Sequence, residues 1–377
     1  MTQTEKLLRD LIALPSVNPA FLAAGHPHAG EGRVAEYLAA AAARAGLDVD
    51  WQEAAPGRPN LIARLTPAGK IKQRILLAPH MDTVPPFSGG QFMPQTRRGR
   101  IYGRGACDTK GSVAAMLTAL ALTARRGPRP PSTEIIFAGL VDEENAQAGS
   151  RALAASGLRA DLAVVGEPTG LRLVTAHKGS LWLRLATRGK AAHGSCPSLG
   201  KNAVHEMSRI VDLLETQYAR QLRRRRHPLL GTATVSVGSI HGGAQANIVP
   251  ASCEAWADRR TLPGETDQSV LRELKTLLRR HGLRAALESG KSAACPPLAT
   301  DPRLPLVRTF LRAAGQRKPA GVNYFCDAAV LAGSGMASVV FGPGDIAQAH
   351  TADEWVASSS LEGAVRLLLK FFQALPS

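Results

Sequence analysis

Short unbroken apolar runs alternate with Ala-rich stretches of helical period through the first half of the chain, and that alternation leaves few folds open. Residues 60–65, 74–78, 134–140 and 161–165 read as buried strands, and residues 31–45 and 111–124 read as helices between them. Strands of this kind need helices to cover them, so the pattern predicts an α/β domain whose sheet carries helices on its faces.

The rhythm changes after residue 177. Residues 180–188 alternate apolar with polar like a half-exposed strand, 202–221 form an amphipathic helical pattern, 232–240 and 251–259 read as strands, and 269–280 as another helix. A β-α-β-β-α segment with one-sided strands is an α+β unit rather than a continuation of the first sheet. Beyond Cys295-Pro296-Pro297 the helix 302–315, the strand 337–341 and the helix 361–375 resume the first style. The expected organisation is a discontinuous catalytic domain, residues 1–177 and 293–377, with residues 178–292 inserted, and a chain of 377 residues is long enough for both.

Composition narrows the function classes. Five cysteines (Cys107, Cys196, Cys253, Cys295, Cys326) are odd in number, scattered and never in a C-x-x-C pair, which argues against a disulfide framework and a thiolate zinc site and for a reducing, cytoplasmic setting. Met1 to Asp10 mixes charges and no later segment is apolar enough to span a bilayer, so an unexported protein without a membrane partner is expected. The net charge of +16 is compatible with nucleic acid, with anionic substrates or with an Arg-rich genome. Its densest run, Arg223 to Arg226, follows a helical pattern and has no interleaved aromatic, so it reads as a solvated helix end and nucleic-acid binding is not expected.

Chemistry-bearing residues gather in five segments near strand ends: Ala78-Pro79-His80-Met81-Asp82, the run from Gly103 to Gly111 around Asp108, Asp142-Glu143-Glu144, Gly166-Glu167-Pro168-Thr169, and Ala349-His350-Thr351-Ala352-Asp353-Glu354. In open α/β sheets ligands gather at the carboxyl ends of strands. His80 and Asp82, two residues apart, share a face of an extended segment, so the carboxylate can hold the imidazole tautomer that presents the other nitrogen to a metal. The acids after the strand 135–141 would be costly to bury without cations, although taken alone such a run reads better as an exposed acidic helix start. Successive side chains diverge at a strand end, so one Glu could bind metal while its neighbour faces a metal-held water. Gly103-Arg104-Gly105 fits neither phosphate-loop spacing, and Asp108 there would repel phosphate.

Taken together, A-P-H-M-D-T-V-P, G-R-G-A-C-D-T-K-G, D-E-E-N, G-E-P-T and Q-A-H-T-A-D-E resemble, in order and spacing, the dinuclear-zinc family of acetylornithine deacetylase, succinyl-diaminopimelate desuccinylase, aminoacylase and glutamate carboxypeptidase. The resemblance implies a zinc exopeptidase-like catalytic domain, with a mixed, mostly parallel sheet, and an inserted ferredoxin-like α+β lid that also dimerises. It implies two divalent ions, zinc or else cobalt or manganese, with Asp108 bridging, His80 and Glu167 completing one site, and Glu144 and His350 the other. Glu143 would be the general base and Asp82 would orient His80. In the insertion, His193 resembles the lid histidine that serves the oxyanion from a partner subunit. Arg260 and Asn247 match substrate-contacting stretches, while Cys326 departs from the usual Ser or Thr. The run from Phe341 to His350 resembles the acetylornithine deacetylase branch most, which implies a small N-acyl amino acid or dipeptide-like substrate.

Overall fold

The computed structural model describes residues 1–126 and 129–376. The chain divides into two compact units, one of Met1–Thr175, Thr300–Ala320 and Cys326–Ser377, the other of Ala176–Ala299 and Gly321–Phe325. The return of 321–325 to the second unit has no signal in the sequence.

In the first unit the strands Asp48–Ala55, Arg58–Leu65, Thr133–Gly139, Gln73–Pro79, Leu162–Gly166 and Ser338–Val340 lie side by side in that order. Gln73–Pro79 runs parallel to both of its neighbours, and Leu162–Gly166 is parallel to Ser338–Val340. The hairpin of the first two strands is antiparallel and turns through Gly57, whose φ of 67° lies in the left-handed region that glycine adopts without steric cost. Alternate residues, among them Leu61, Ile75, Leu77, Phe137 and Val164, join a core with the helices Gln3–Ile12, Gly32–Arg44, Lys110–Arg126, Pro305–Ala313 and Ser358–Gln373. The intervening Ile62, Leu76, Ile136 and Val165 are buried as well, on the sheet side where Ala148–Ala155 and Ala328–Gly333 pack. Burial on both faces is why these strands read as continuous apolar runs.

The sequence pattern marks five of the sheet's strands but not the interior strand Val174–His177, the edge strand Asp48–Ala55, or the helices Gln3–Ile12, Ala148–Ala155 and Ala328–Gly333. The helix Gln3–Ile12 carries a capping box, Thr2 with Glu5, and a short apolar stripe of Leu7, Leu8, Leu11 and Ile12, and the strand Asp48–Ala55 is disguised by the exposed acids that an edge tolerates.

The second unit is a four-stranded antiparallel sheet in the order Thr234–Gly242, Ser252–Thr261, Gly179–Arg188, Ala286–Ser289. Leu181, Leu183, Leu185, Ala255 and Ala257 point to one face and pack with Met207, Ile210, Leu274 and Leu278 from the helices Ala203–Leu213 and Asp267–Arg280. One-sided burial gives the in-out alternation of the sequence. The fourth strand, only four residues long, completes a ferredoxin-like β-α-β-β-α-β unit that the sequence leaves one strand short. Among the described residues no helix is long and apolar enough to cross a membrane.

Phe310 is fully buried, stacked on Phe371 at 4.4 Å between ring centroids and 5.0 Å from Phe341. Phe310→Ala is expected to cost about 3–5 kcal/mol of stability. Urea unfolding measures this, and a loss under about 1 kcal/mol would show that the cavity collapses without penalty.

Candidate metal centre

Parallel strands that end at one level deliver the candidate ligands. Pro79 pairs with Gly166 and His80 bridges to Leu140, so His80, Glu167 and the loop of Asp142, Glu143 and Glu144 leave the sheet together. Asp108 comes from the loop before the helix Lys110–Arg126, and His350, at φ 58°, follows the short turn Ile346–Gln348.

Asp108 lies between two imidazoles. Its Oδ1 is 3.1 Å from His80 Nε2 and its Oδ2 is 3.3 Å from His350 Nε2. Glu167 Oε1 lies 3.8 Å from His80 Nε2, and Glu144 Oε1 lies 3.1 Å from His350 Nε2. Two sets, His80 with Asp108 and Glu144, and His80 with Glu143 and Glu167, each bring ligand atoms within 4.8 Å of one another. Imidazole nitrogen and carboxylate oxygen, without thiolate, is a donor set that suits divalent cations.

The electrostatics point the same way. Burial, then the fields of Glu167, Asp327 and Glu144, push Glu143 well above the usual carboxylate range, and burial with Asp108 does the same to Glu167 and, more mildly, Glu144. Burial works against Asp108 too, but the hydrogen bonds to His350 and His80 hold it low. Burial also opposes the charged form of His80, and its bonds to Asp108 and Asp82 overcome this and raise it well above normal; His350, bonded to Asp108 and Glu144, is raised to about 10. So many acids buried around two imidazoles are short of positive charge, and a pair of divalent cations would supply it.

Asp82 fixes both imidazole and acids. His80 Nδ1 is 3.0 Å from the Asp82 carbonyl oxygen, which only accepts, so Nδ1 holds a proton and it is Nε2 that would give up its own to present a lone pair to a ligand. The Asp82 carboxylate accepts the Glu143 N–H at 3.0 Å, the Glu144 N–H at 3.1 Å and Asn18 Nδ2 at 2.7 Å. Asp142, in contrast, turns away to ion-pair with Arg58 at 3.1 Å, so only two of the three consecutive acids reach the cluster.

Glu354 holds the Asp108 loop in the same way. Its buried carboxylate accepts the N–H groups of Gly105, Cys107 and Asp108 at 2.9–3.0 Å and pairs with buried Arg104 at 2.6 Å. In the sequence Glu354 and Asp327 fall within the segments 349–354 and 323–328 with no role assigned to either, and nothing there points to Asn18. Asp327 is buried at the start of Ala328–Gly333, accepts from Ser150, and is pushed by burial up to about 6. A lone Asp or Asn after a Cys or a Val carries no pattern that would mark it. Cys326 is fully buried, and burial with the neighbouring Glu167 keeps it a thiol, so it is a packed side chain rather than a thiolate ligand.

The remaining candidates belong to the second unit. His193 is on an exposed loop, its Nδ1 2.6 Å from Ser195 Oγ, and it bridges to Ile248; the Gly194 N–H donates to the carbonyl of Asn247 at 2.7 Å. Arg260 is half-buried near the end of Ser252–Thr261 and pairs with Asp258 at 2.9 Å, whereas its neighbour Arg259 is fully buried against Tyr218 and Glu265.

A mixed α/β sheet whose strand ends collect two imidazoles and three glutamates around one aspartate has the donor set of a metal-dependent hydrolase. The model of peptidase family M20/M25/M40 matches residues 76–374. The chain is 33% identical over 367 residues to an acetylornithine deacetylase of Edwardsiella ictaluri (strain 93-146), covering 93% of this chain and 92% of that one. In fold it is similar to aminopeptidase PepT from Bacillus cereus ATCC 10987, with a TM-score of 0.79 at 22% identity over 99% and 98% of the two chains. It is similar too to a dinuclear metal binding peptidase of the M20 family from Bacillus subtilis, with a TM-score of 0.72 at 14% identity over 98% and 96%. The chain belongs to the M20/M25/M40 peptidase family, and its chemistry is metal-dependent hydrolysis of amide bonds.

Without ions both histidines favour the protonated form, whereas a metal-bound imidazole is neutral. Loading is therefore expected to release protons and to tighten as pH rises from about 6 to 8. Calorimetric titration in two buffers of different ionisation enthalpy measures the release; equal heats and a pH-independent affinity would contradict it.

Proposed function

We propose that the chain hydrolyses the amide bond of an N-acyl amino acid, in the manner of an acetylornithine deacetylase, with two metal ions sharing Asp108. The observation that carries this reading is that the two oxygens of one buried carboxylate face two different imidazoles. Similarity to acetylornithine deacetylases over nearly the whole chain supports the choice of N-acetyl substrates.

His80 and Glu167 would hold one ion with Asp108, and Glu144 and His350 the other. Bound there, zinc, or cobalt or manganese in its place, would polarise a water and the substrate carbonyl. Glu143 takes the proton of the attacking water and returns it to the leaving amine. Its burial among acids suits a group that must hold a proton between those two moments. Asp82 keeps Nδ1 of His80 protonated. Arg260 recognises a substrate carboxylate by a charge-assisted pair, Asn247 contributes to substrate binding, and His193 stabilises the oxyanion from a second copy in a homodimer. A cytoplasmic setting is supported by five free thiols.

The dimer rests on the strand Thr234–Gly242. Among the described residues it pairs on one side only; Glu215 takes the Val237 N–H at 2.8 Å and the register shifts between Val237 and Ser239, but the strand carries no Lys, Arg, Asp or Glu and exposes Ile240. An edge without charged side chains is a template on which another strand can pair.

A panel of N-acetyl, N-succinyl and dipeptide substrates, assayed with zinc or cobalt and after chelation, tests the reading. Turnover of N-acetyl amino acids is expected to need metal, and full activity in a metal-free preparation would end it. Glu143→Ala should lose turnover by about 10²-fold or more and keep both ions, whereas Glu144→Ala should lose one ion; equal metal loss would exchange their roles. For the dimer, co-expressed His193→Ala and Glu143→Ala chains should recover one active site per mixed dimer. Purified mixed dimers no more active than either parent would overturn a trans-acting His193.

A further inference from the structure

The second unit has another open edge, opposite in character to the first. Ala286–Ser289 pairs only with Gly179–Arg188, and among the described residues no strand covers its outer side. Antiparallel partners exchange both hydrogen bonds at alternate residues. The Gly290 N–H donates to the Trp182 carbonyl at 2.7 Å, which puts Ala286, Glu288 and Gly290 in the inward-bonding set. The N–H and C=O groups of Leu287 and Ser289 therefore face away from the sheet.

A cavity of about 830 Å³ lies beside this strand, which contributes Ala286 and Glu288 to its lining. Its floor is small and apolar, with Ala186, Leu278, Leu283, Ala285 and Ala286. Its rim is six exposed cations, Arg188, Lys201, Arg272, Lys275, Arg279 and Arg284, none of which forms an ion pair among the described residues. The lone acid on the rim, Glu288, lies 3.5 Å from Arg184. Solvation at a helix C-terminus would account for Arg279 alone, because Arg272 and Lys275 sit further up the helix Asp267–Arg280 and Arg188, Lys201 and Arg284 come from other segments. Arg272, Lys275 and Arg279 follow the three- and four-residue spacing that puts them in one stripe, about 10 Å long, roughly the length of three residues of extended chain.

We propose that this groove takes an extended acidic segment of another protein as a fifth strand of the sheet. The outward backbone groups of Leu287 and Ser289 supply the hydrogen bonds, the apolar floor accepts small or branched side chains, and the cations of the rim read carboxylates at alternate positions. Nucleic acid fits less well, since no aromatic lines the cavity on which bases could stack and the open strand edge would find no partner. A second copy of the same edge is excluded as occupant, because it would set six unpaired cations against six.

The test uses the full-length protein and fluorescence anisotropy with a labelled ten-residue peptide of alternating Glu and Val. Three controls accompany it: the Gln/Val counterpart, a single-stranded DNA of ten random nucleotides, and two Glu/Val peptides N-methylated either on every Glu or on every Val. The Glu/Val peptide is expected to bind about tenfold or more tightly than the Gln/Val peptide and to weaken with salt. Lys275→Glu with Arg279→Glu, both exposed, should weaken it by about tenfold or more while the thermal midpoint stays put. One N-methylation pattern should abolish binding and the other spare it, because an added strand bonds through alternate residues. Equal affinity of the Gln/Val peptide, equal affinity of the two N-methylated peptides, or DNA that binds as tightly and displaces the peptide would each overturn the proposal.

Discussion

Repulsion among buried acids is the constraint from which the first unit's architecture follows. Asp108, Glu143, Glu144 and Glu167 approach one another at the ends of parallel strands, Asp108 and Glu167 buried and the other two partly so, and only two imidazoles oppose their charge. Left to relax, such side chains would swing into solvent. They stay because their backbones are held, and cations would complete the balance of charge that the protein leaves open.

The holding is done by two further carboxylates that face backbone rather than the cluster. Asp82 collects the N–H groups of Glu143 and Glu144, and Glu354 those of Gly105, Cys107 and Asp108, so each acid-bearing loop is gathered around an acceptor fully out of solvent. Behind Asp82, Asn18 links it to Asp142, which Arg58 ties in turn to Glu31. Charge-assisted bonds of this kind are short and directional, and they convert flexible loops into a rigid frame. Asp142 shows the economy of the arrangement: of three consecutive acids it is the one spent on structure.

The second unit solves a different problem with its two open edges. One is uncharged and long, the other short, apolar at its floor and lined with cations, so the same sheet offers two surfaces that cannot substitute for each other. Much of the chain's excess of positive charge, which in the sequence is only a total, is gathered on one of them.

The sequence by itself determined most of the central strands, most of the helices, the change of style after residue 177 and the five segments that reach the cluster of acids and imidazoles, because burial on both faces, one-sided burial and strand-end acids each leave a local periodic or compositional trace. It also offered the family likeness through motifs whose spacing is fixed by strand ends. Only the tertiary structure decided which of Asp142, Glu143 and Glu144 faces the cluster, that Glu354 and Asn18 brace it, and that six cations from four separate segments converge on one edge. These are contacts between residues tens to hundreds of positions apart, and no local pattern encodes a distance that arises only when the chain closes upon itself.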